Sequence, residues 1–189
     1  MKKCLKFLAI LSLTSLFSCV YSDQEVNLRF DMGDKVSSIG RGKGVEVVVL
    51  DKRRDKNILG EKEYSTKDLV RVLPDANLAE VLRAKLTHNL VGRGFQYGND
   101  KKVELQIESF SYKVRRGFVA SSEINANFKM IVKDNNTGAT FSRNYNSSWT
   151  EKHLIMPLES KVDKIINNFL RDMMQEIIQD DDFIESLIK

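Results

Sequence analysis

The sequence predicts a domain of mixed α/β (α+β) class, a two-layer sandwich whose mostly antiparallel sheet carries two main helices on one face. Residues 103–150 alternate between apolar and polar side chains, as strands with one buried face do. Two segments, after Pro74 and after Pro157, instead repeat apolar residues at spacings of three and four, which indicates amphipathic helices. The 189 residues and 42% hydrophobic content suit a single domain with a real core.

The first 18 residues have the composition of a secretory signal peptide. Three lysines within the first six positions form a positive n-region, and an apolar run extends over Phe7–Phe17. The run is shorter than the roughly 20 apolar residues that span a bilayer, and no later segment reaches that length. Residues 1–18 are therefore predicted to be a removable export signal.

The apolar run ends in Leu16-Phe17-Ser18-Cys19, which resembles a bacterial lipobox. The resemblance implies cleavage after Ser18, a thioether-linked diacylglyceryl group on Cys19 and acylation of the new amino terminus, with fatty acids such as palmitate. Each buried methylene contributes about 0.8 kcal/mol, so two or three chains would make the anchor effectively permanent. Two alternatives stay open: an ordinary signal peptide with Cys19 present by chance, and an uncleaved anchor.

The residue after Cys19 bears on which membrane holds the protein. Val20 stands where aspartate is the familiar signal for retention in the inner membrane. By resemblance to that sorting rule, its presence implies lipid anchoring in the outer membrane of a Gram-negative cell, with the domain facing the periplasm.

Residues 19–43 are predicted to form the lipidated cysteine and a flexible tether, and residues 44–189 a single periplasmic domain. Within the tether, the alternating Val26, Leu28 and Phe30 predict a short edge strand. The glycine-rich run Gly40–Gly44 precedes a strand, whereas a phosphate-binding loop follows one and opens a helix. A flexible linker is therefore favoured for this run.

The first half of the domain is predicted to contain strands followed by a helix. Val45–Leu50 has β-branched side chains at four of its six positions, which predicts a largely buried strand. Weaker strands are expected around Tyr64 and over residues 69–72. Asn77 with Glu80 resembles a capping box that opens a helix ending at Gly92 and Gly94. The apolar face of this helix consists of Leu78, Val81, Leu82, Leu86 and Leu90.

The second half is predicted to be a strand meander followed by helices. The alternation changes parity at Glu108-Ser109, which indicates a bulge, and Asp134–Gly138 has the composition of a hairpin turn. An amphipathic helix is expected from about Leu158. The run Asp180–Asp182 is expected to end that helix and to cap a short terminal one.

The order of these features along the chain resembles the YajG family of small Gram-negative lipoproteins. The resemblance rests on the lipobox, the tether, Val45–Leu50 leading into Asp51-x-Arg53, Gly60, the helix end Gly92-Arg93-Gly94-Phe95, the strands around Phe128 and Tyr145, and the acidic final helix. It implies a periplasm-facing outer-membrane lipoprotein with no established catalytic role.

Residue types that commonly act in catalysis or metal binding form no recognisable motif in this sequence. The only histidines are His88, in the first predicted helix, and His153, in the loop expected before the second, and neither has a partner at metal-ligand spacing. Asp180–Asp182 lacks the spacing of a calcium loop. Ser121-Ser122 and Ser147-Ser148 lack the Gly-x-Ser-x-Gly elbow. We therefore expect no cofactor, no metal and no enzyme activity, and a cell-wall hydrolase is the least favoured hypothesis.

Basic residues cluster at two predicted strand ends. They are Lys52, Arg53 and Arg54 in one cluster and Lys113, Arg115 and Arg116 in the other. One interpretation is a rim that binds lipopolysaccharide phosphates, peptidoglycan carboxylates or a partner protein, and the other is solvated loop charge. The formal charge of +4 does not indicate nucleic-acid binding, because residues 1–18 contain three lysines and no acid, which leaves the rest nearly balanced.

The function predicted from these features is that of a non-catalytic envelope lipoprotein, an adaptor or auxiliary subunit acting by contact with an envelope protein. This hypothesis predicts an exposed apolar or charged patch large enough for a partner. The alternative is a lipid- or glycan-binding module that assists envelope transport. It predicts an apolar cleft of roughly 300 Å³ or more between the sheet and the C-terminal helix.

Overall fold

The computed structural model describes residues 22–33, 36–65 and 68–189, so the predicted signal peptide and Cys19 lie outside the described residues. The described chain forms one eight-stranded sheet and three helices. The strands are β1 (Gln24–Val26), β2 (Gly44–Asp51), β3 (Gly60–Glu63), β4 (Leu69–Pro74), β5 (Gln96–Tyr97), β6 (Lys101–Arg115), β7 (Ala120–Asp134) and β8 (Thr140–His153). The helices are α1 (Leu78–Gly92), α2 (Glu159–Gln179) and α3 (Asp181–Ile188). The predicted α+β class is confirmed.

The long strand β6 organises the sheet. On one side it pairs with β7 in antiparallel register along its whole length, and β7 pairs with β8 in the same way. On its other side β2 runs parallel to the first half of β6, and β3 runs parallel to the second half. The sheet continues through β4 to β1 beyond β3, and to β5 beyond β2. The longest ladders are therefore antiparallel, while the shorter strands add parallel pairs.

The predicted irregularities of the meander are confirmed. The register between β6 and β7 shifts between Ile107 and Ser109, at the predicted bulge. At the hairpin turn, Asp134 Oδ1 accepts hydrogen bonds from the backbone N–H groups of Asn136 (2.7 Å) and Thr137 (2.9 Å). This side chain holds the turn by replacing backbone partners, as aspartate commonly does in turns.

The core lies between the inward face of the sheet and the helices. Alternate residues of β7 are buried, and α2 buries the apolar stripe predicted from its sequence. Phe110 of β6 meets Phe169 of α2 edge to face, with ring centroids 6.0 Å apart. The predicted caps are present: Asn77 Oδ1 accepts from the N–H groups of Ala79 and Glu80, and Asp180 caps α3.

The structure departs from the expected tether in residues 24–32. Val26, Leu28, Phe30 and Met32 are at most 7% exposed and belong to the core. The expected edge strand is confirmed as β1, which pairs in parallel with β4. Every second residue remains buried after this three-residue strand ends, as far as Met32. The segment therefore contributes apolar side chains to the core, although its mostly polar composition predicted a tether.

The glycine-rich run is an ordered turn rather than the expected flexible linker. The N–H of Gly40 donates to Arg93 O, and the N–H of Gly42 donates to Gly94 O, both at 2.9 Å. A Cβ on Gly40 would lie 2.5 Å from the backbone nitrogen of Phe95, so only glycine fits without displacing the backbone. These glycines permit close approach to the end of α1.

Three minor predictions from the sequence differ from the structure. The Val45–Leu50 strand is less buried than predicted, since Val45 is buried but Leu50 is 39% exposed. The strand expected around Tyr64 ends at Glu63. His153, expected in a loop, is the last residue of β8.

The meander formed by β6, β7 and β8 has two ends, the tip end and the closed end. The tip end holds the β6–β7 turn (residues 116–119) and the β8–α2 loop (154–158). The closed end holds the β7–β8 turn (135–139), residues 98–100, which contact that turn, and the Gly40–Gly44 turn, which contacts residues 98–100.

Candidate functional site

The first basic cluster is partly structural. Arg53 is only 7% exposed, and its Nη2 lies 2.7 Å from Asp51 Oδ2. The same guanidinium donates to the carbonyl oxygens of Lys56 and Ile58, at 2.9 and 2.8 Å. Arg53 therefore closes the loop after β2, and its donors are occupied by the protein itself.

Several other basic residues also have partners within the chain. Lys52 Nζ donates to Gln106 Oε1 at 2.6 Å, and Arg116 donates to the carbonyl of Tyr64 at 2.8 Å. Arg115 lies 3.9 Å from Glu123, a distance typical of a weak surface ion pair. These contacts tie neighbouring turns to the sheet.

Three of the six basic residues, Arg53, Arg54 and Lys113, line one cleft of about 490 Å³. It opens beside β6, where β2 ends and β3 begins. Asp55, Glu61 and Glu108 line the same cleft, so its charge is mixed. The structure thus brings two residues of the first cluster and one of the second to this cleft, and the donors of Arg53 are already engaged by the loop. Lys52, Arg115 and Arg116 do not line it, and anion binding stays a prediction.

A groove between β8 and α2 lies where the alternative hypothesis places its cleft. Its volume is about 300 Å³, and Trp149, Ile165 and Phe169 contribute to its lining. The remaining lining is mostly polar or charged, from residues that include Glu151, Lys161, Lys164, Arg171, Asp172 and Glu176. The groove has the expected position and size, but not the expected apolar lining.

The structure brings together a serine and a histidine that the sequence did not connect. His153 Nε2 lies 2.8 Å from Ser122 Oγ, and His153 Nδ1 lies 3.9 Å from Glu151 Oε1. The order resembles a serine–histidine–acid arrangement, but Ser122 is fully buried and its Oγ lies 3.1 Å from the hydroxyl of Tyr112. A substrate cannot reach Ser122, so the cluster serves to join β6, β7 and β8.

Tyr112, the hydroxyl partner of Ser122, is fully buried. Burial raises the pKa of Tyr112 to about 12, although the hydrogen bond from Ser122 acts in the opposite direction. The inward parity of Ser122, two residues before Ile124, was the sequence signal that could have placed it in the core. Its pairing with a histidine depended on the register between β7 and β8.

The described ranges contain neither a cluster of metal-ligating side chains nor a helix that could span a membrane. Residues 22–33, 36–65 and 68–189 hold no cluster of three or more metal-ligating side chains. None of the helices in those ranges is both long and apolar enough to span a bilayer.

The outer edge of β8 is a free strand edge. Within the described part of the chain β8 pairs only with β7, and its backbone makes no further hydrogen bond outward. Its centre, residues 144–150, carries no charged side chain. Proteins usually protect such edges with charge or proline, because an open edge is a template for another strand.

The second exposed feature is an apolar tip at the tip end, formed by Phe118, Val119, Leu154, Ile155 and Leu158. Phe118 is fully exposed, and Leu154, Ile155 and Leu158 are 91%, 73% and 70% exposed. Pairing of Ala120 with His153 places the two loops side by side, so these residues form one surface. Contiguous apolar surface of this kind commonly marks an interaction site.

Comparison with one solved structure shows a shared fold. A homolog of the neuraminyllactose-binding hemagglutinin, from Helicobacter pylori, is 13% identical and superposes with a TM-score of 0.52 over 86% of this chain and 97% of that chain. A minor lipoprotein from Acinetobacter baumannii is 12% identical, with a TM-score of 0.34 over 74% of this chain and 90% of that chain. Identities this low do not carry function.

Comparison with sequences shows the family. The chain has no significant match among curated proteins. Residues 32–187 match the family described as uncharacterized lipoprotein, which is the YajG family, and the resemblance drawn from the sequence is thereby confirmed. Because this match spans most of the chain, the protein belongs to the YajG family of bacterial lipoproteins.

Proposed function

We propose that this protein is a non-catalytic adaptor or auxiliary subunit of the cell envelope, held in the outer membrane by acyl chains on Cys19 and facing the periplasm. The family supports the lipoprotein part of this proposal. The observation that carries the adaptor part is the free edge of β8, which offers backbone donors and acceptors to a strand of a partner protein. Addition of a strand to an open edge is a common mode of protein recognition.

The side chains around this edge suit such a partner. Outward-facing Asn144, Asn146 and Ser148 are exposed and uncharged, so a new strand would not bury charge beside them. The inward side of β8 is held in place by Tyr145, which is buried and donates its hydroxyl proton to Asp180. The edge is therefore rigid before a partner arrives, which lowers the entropic cost of binding.

The test is photocrosslinking in intact Gram-negative cells that export and process the full chain. A photoreactive phenylalanine analogue at Asn146 is expected to form a discrete adduct with one envelope protein. The matched control is Asn125, which lies on the same polar face but on the neighbouring strand β7. Adding Ser148→Lys to the Asn146 probe should abolish the adduct, because a charge beside the edge opposes strand pairing.

Two results would contradict the proposal. One is an equal adduct from Asn125, which would show contact with the sheet face rather than with the edge. The other is an adduct from Asn146 that persists in the Ser148→Lys chain.

A further inference from the structure

The apolar tip lies where the N-terminal chain enters the domain. Gln24 Nε2 donates to the carbonyl of Glu159 at 3.4 Å. Gln24 Oε1 accepts from the buried Lys62 Nζ at 2.9 Å, and this ammonium also donates to the carbonyl of Pro157 at 2.9 Å. The N-terminal segment is therefore hydrogen-bonded directly to Glu159 and, through Lys62, to Pro157, the two residues that flank Leu158 of the apolar tip.

The distance between Cys19 and this surface is limited by covalent geometry. Ser22 is the first described residue, and three peptide units separate its Cα from that of Cys19. At 3.8 Å for each trans peptide, they span at most about 11 Å. The polar headgroup layer of one leaflet is itself about 5–8 Å thick.

We propose that the apolar tip is a membrane-contacting surface, which inserts into the headgroup layer of the leaflet that holds the lipid anchor. The inference rests on the proposed acylation of Cys19, because only a lipid at that position brings the bilayer within reach of Ser22. It adds a fixed orientation to the anchor: the tip end faces the lipid, and the closed end points away from it.

The chemistry of the tip suits a lipid–water interface. One exposed aromatic ring and four aliphatic side chains are flanked by the exposed cationic residues Arg115, Arg116 and Lys152. Apolar side chains with basic neighbours are typical of proteins that lie in the headgroup region. The exposed carboxylate of Glu159, next to Leu158, limits how deeply that side can enter.

The geometry also leaves the free edge of β8 open. Strand β8 runs from the closed end to the tip end, so this orientation directs its edge away from the membrane plane along its 14 residues. At about 3.3 Å per residue, the strand is long enough to present a partner site tens of ångströms from the lipid. Membrane contact and partner binding then use different surfaces.

The experiment places an environment-sensitive NBD fluorophore on single cysteines in the full-length, exported and purified protein. The protein is reconstituted into vesicles of phosphatidylethanolamine and phosphatidylglycerol. Phe118→Cys and Leu154→Cys report on the tip, and Asn136→Cys in the β7–β8 turn is the control at the closed end. All three positions are exposed, so the substitutions leave the core intact.

The expected result is a blue-shifted emission from both tip positions, quenching by doxyl groups on the lipids and protection from aqueous iodide, with none of these at Asn136. Tip probes as accessible to iodide as the control would overturn the proposal. So would protection from iodide without quenching by doxyl lipid, which would show a protein, such as a second copy of this chain, covering the tip.

The unsubstituted protein separates this inference from the proposed anchor. If residues 1–18 are removed and Cys19 is acylated, no free thiol remains and the protein takes up no fluorophore. Labelling of the unsubstituted protein at Cys19 would disprove the anchor and, with it, this inference. An unlabelled protein whose tip probes remain in water would disprove the tip contact alone.

Discussion

The two ends of the β6–β7–β8 meander differ in their surface contacts. Charged and polar groups at the closed end are paired within the protein, whereas apolar side chains at the tip end are exposed to solvent. At the closed end, the buried Lys101 Nζ lies 2.6 Å from Asp134 Oδ2, and Asp134 also holds the turn through two backbone N–H groups. The glycine turn packs against backbone there, and Lys43 donates to the carbonyl of Ile188 in α3. At the tip end, five apolar side chains extend into solvent.

This difference indicates which end of the meander is available for interaction with another surface. Lys101 and Asp134, the buried charged pair at the closed end, already have partners, so a new contact with them would have to displace existing hydrogen bonds. Apolar surface at the tip end has no such bonds to lose and gains free energy when it leaves water. Substitutions should therefore reduce stability at the closed end and leave it unchanged at the tip end.

The largest effect is expected from a single methyl group at the closed end. Gly40→Ala places Cβ 2.5 Å from the nitrogen of Phe95, which forces the backbone to move. We expect a loss of about 2–3 kcal/mol in the free energy of unfolding, as for other overpacked sites. Urea unfolding followed by the fluorescence of Trp149, the single tryptophan, measures it.

The matched control is Gly138→Ala in the β7–β8 turn. Gly138 has a φ of +76° but nothing within 4 Å of its added Cβ, so only backbone strain of about 1–2 kcal/mol is expected. If Gly40→Ala unfolds at the same urea concentration as the unsubstituted protein, then the glycine turn is not packed as described.

The second effect concerns pH. The hydrogen bond from Lys101, followed by those from the amides of Thr137 and Asn136, holds the pKa of Asp134 well below its usual range. A depressed carboxyl pKa contributes stability that is complete above the unfolded-state pKa of about 4 and is lost as pH falls through the folded-state pKa. At pH 7, the Asp134→Asn protein should have a lower free energy of unfolding than the unsubstituted protein. Between pH 7 and pH 3, its free energy of unfolding should fall by less than that of the unsubstituted protein.

Unfolding in urea at both pH values tests this expectation. The control is Asp181→Asn, because the carboxylate of Asp181 makes no ion pair within the described ranges. If the free energy of unfolding falls equally between pH 7 and pH 3 in the unsubstituted protein and in Asp134→Asn, then the ion pair between Lys101 and Asp134 does not stabilise the closed end.

The smallest effect is expected at the tip end. Phe118→Ser removes a whole aromatic ring, and Leu154→Ser removes an aliphatic side chain, yet both side chains are almost fully exposed. Each should change the free energy of unfolding by no more than about 0.5 kcal/mol, as exposed positions usually do. A loss above about 1 kcal/mol in urea unfolding would mean that the tip is packed within the domain.

Much of the fold could be predicted from local patterns. The parity change at Glu108-Ser109 located the bulge, because a strand has a period of two and an extra residue reverses it. Asn77 and Asp180 identified helix starts, because their short polar side chains satisfy free backbone N–H groups. These features depend on residues within a few positions of one another.

The candidate site was predicted less well. One of the two interpretations placed the six basic residues on a shared rim, but only Arg53, Arg54 and Lys113 line the cleft, and Arg53 is paired with Asp51. Nothing local distinguishes an arginine that closes a loop from one that faces solvent. Its role depends on the carbonyls that the folded loop brings to its guanidinium.

The family, the α+β class, the helix caps and the antiparallel meander could all be predicted from the sequence, because each leaves a pattern in neighbouring residues. Three features became apparent only in the folded structure: residues 24–32 join the core, Ser122 contacts His153, and the apolar tip adjoins the entry of the N-terminal chain. These facts join residues tens of positions apart. Their contacts arise from strand register and helix packing, which no local period encodes.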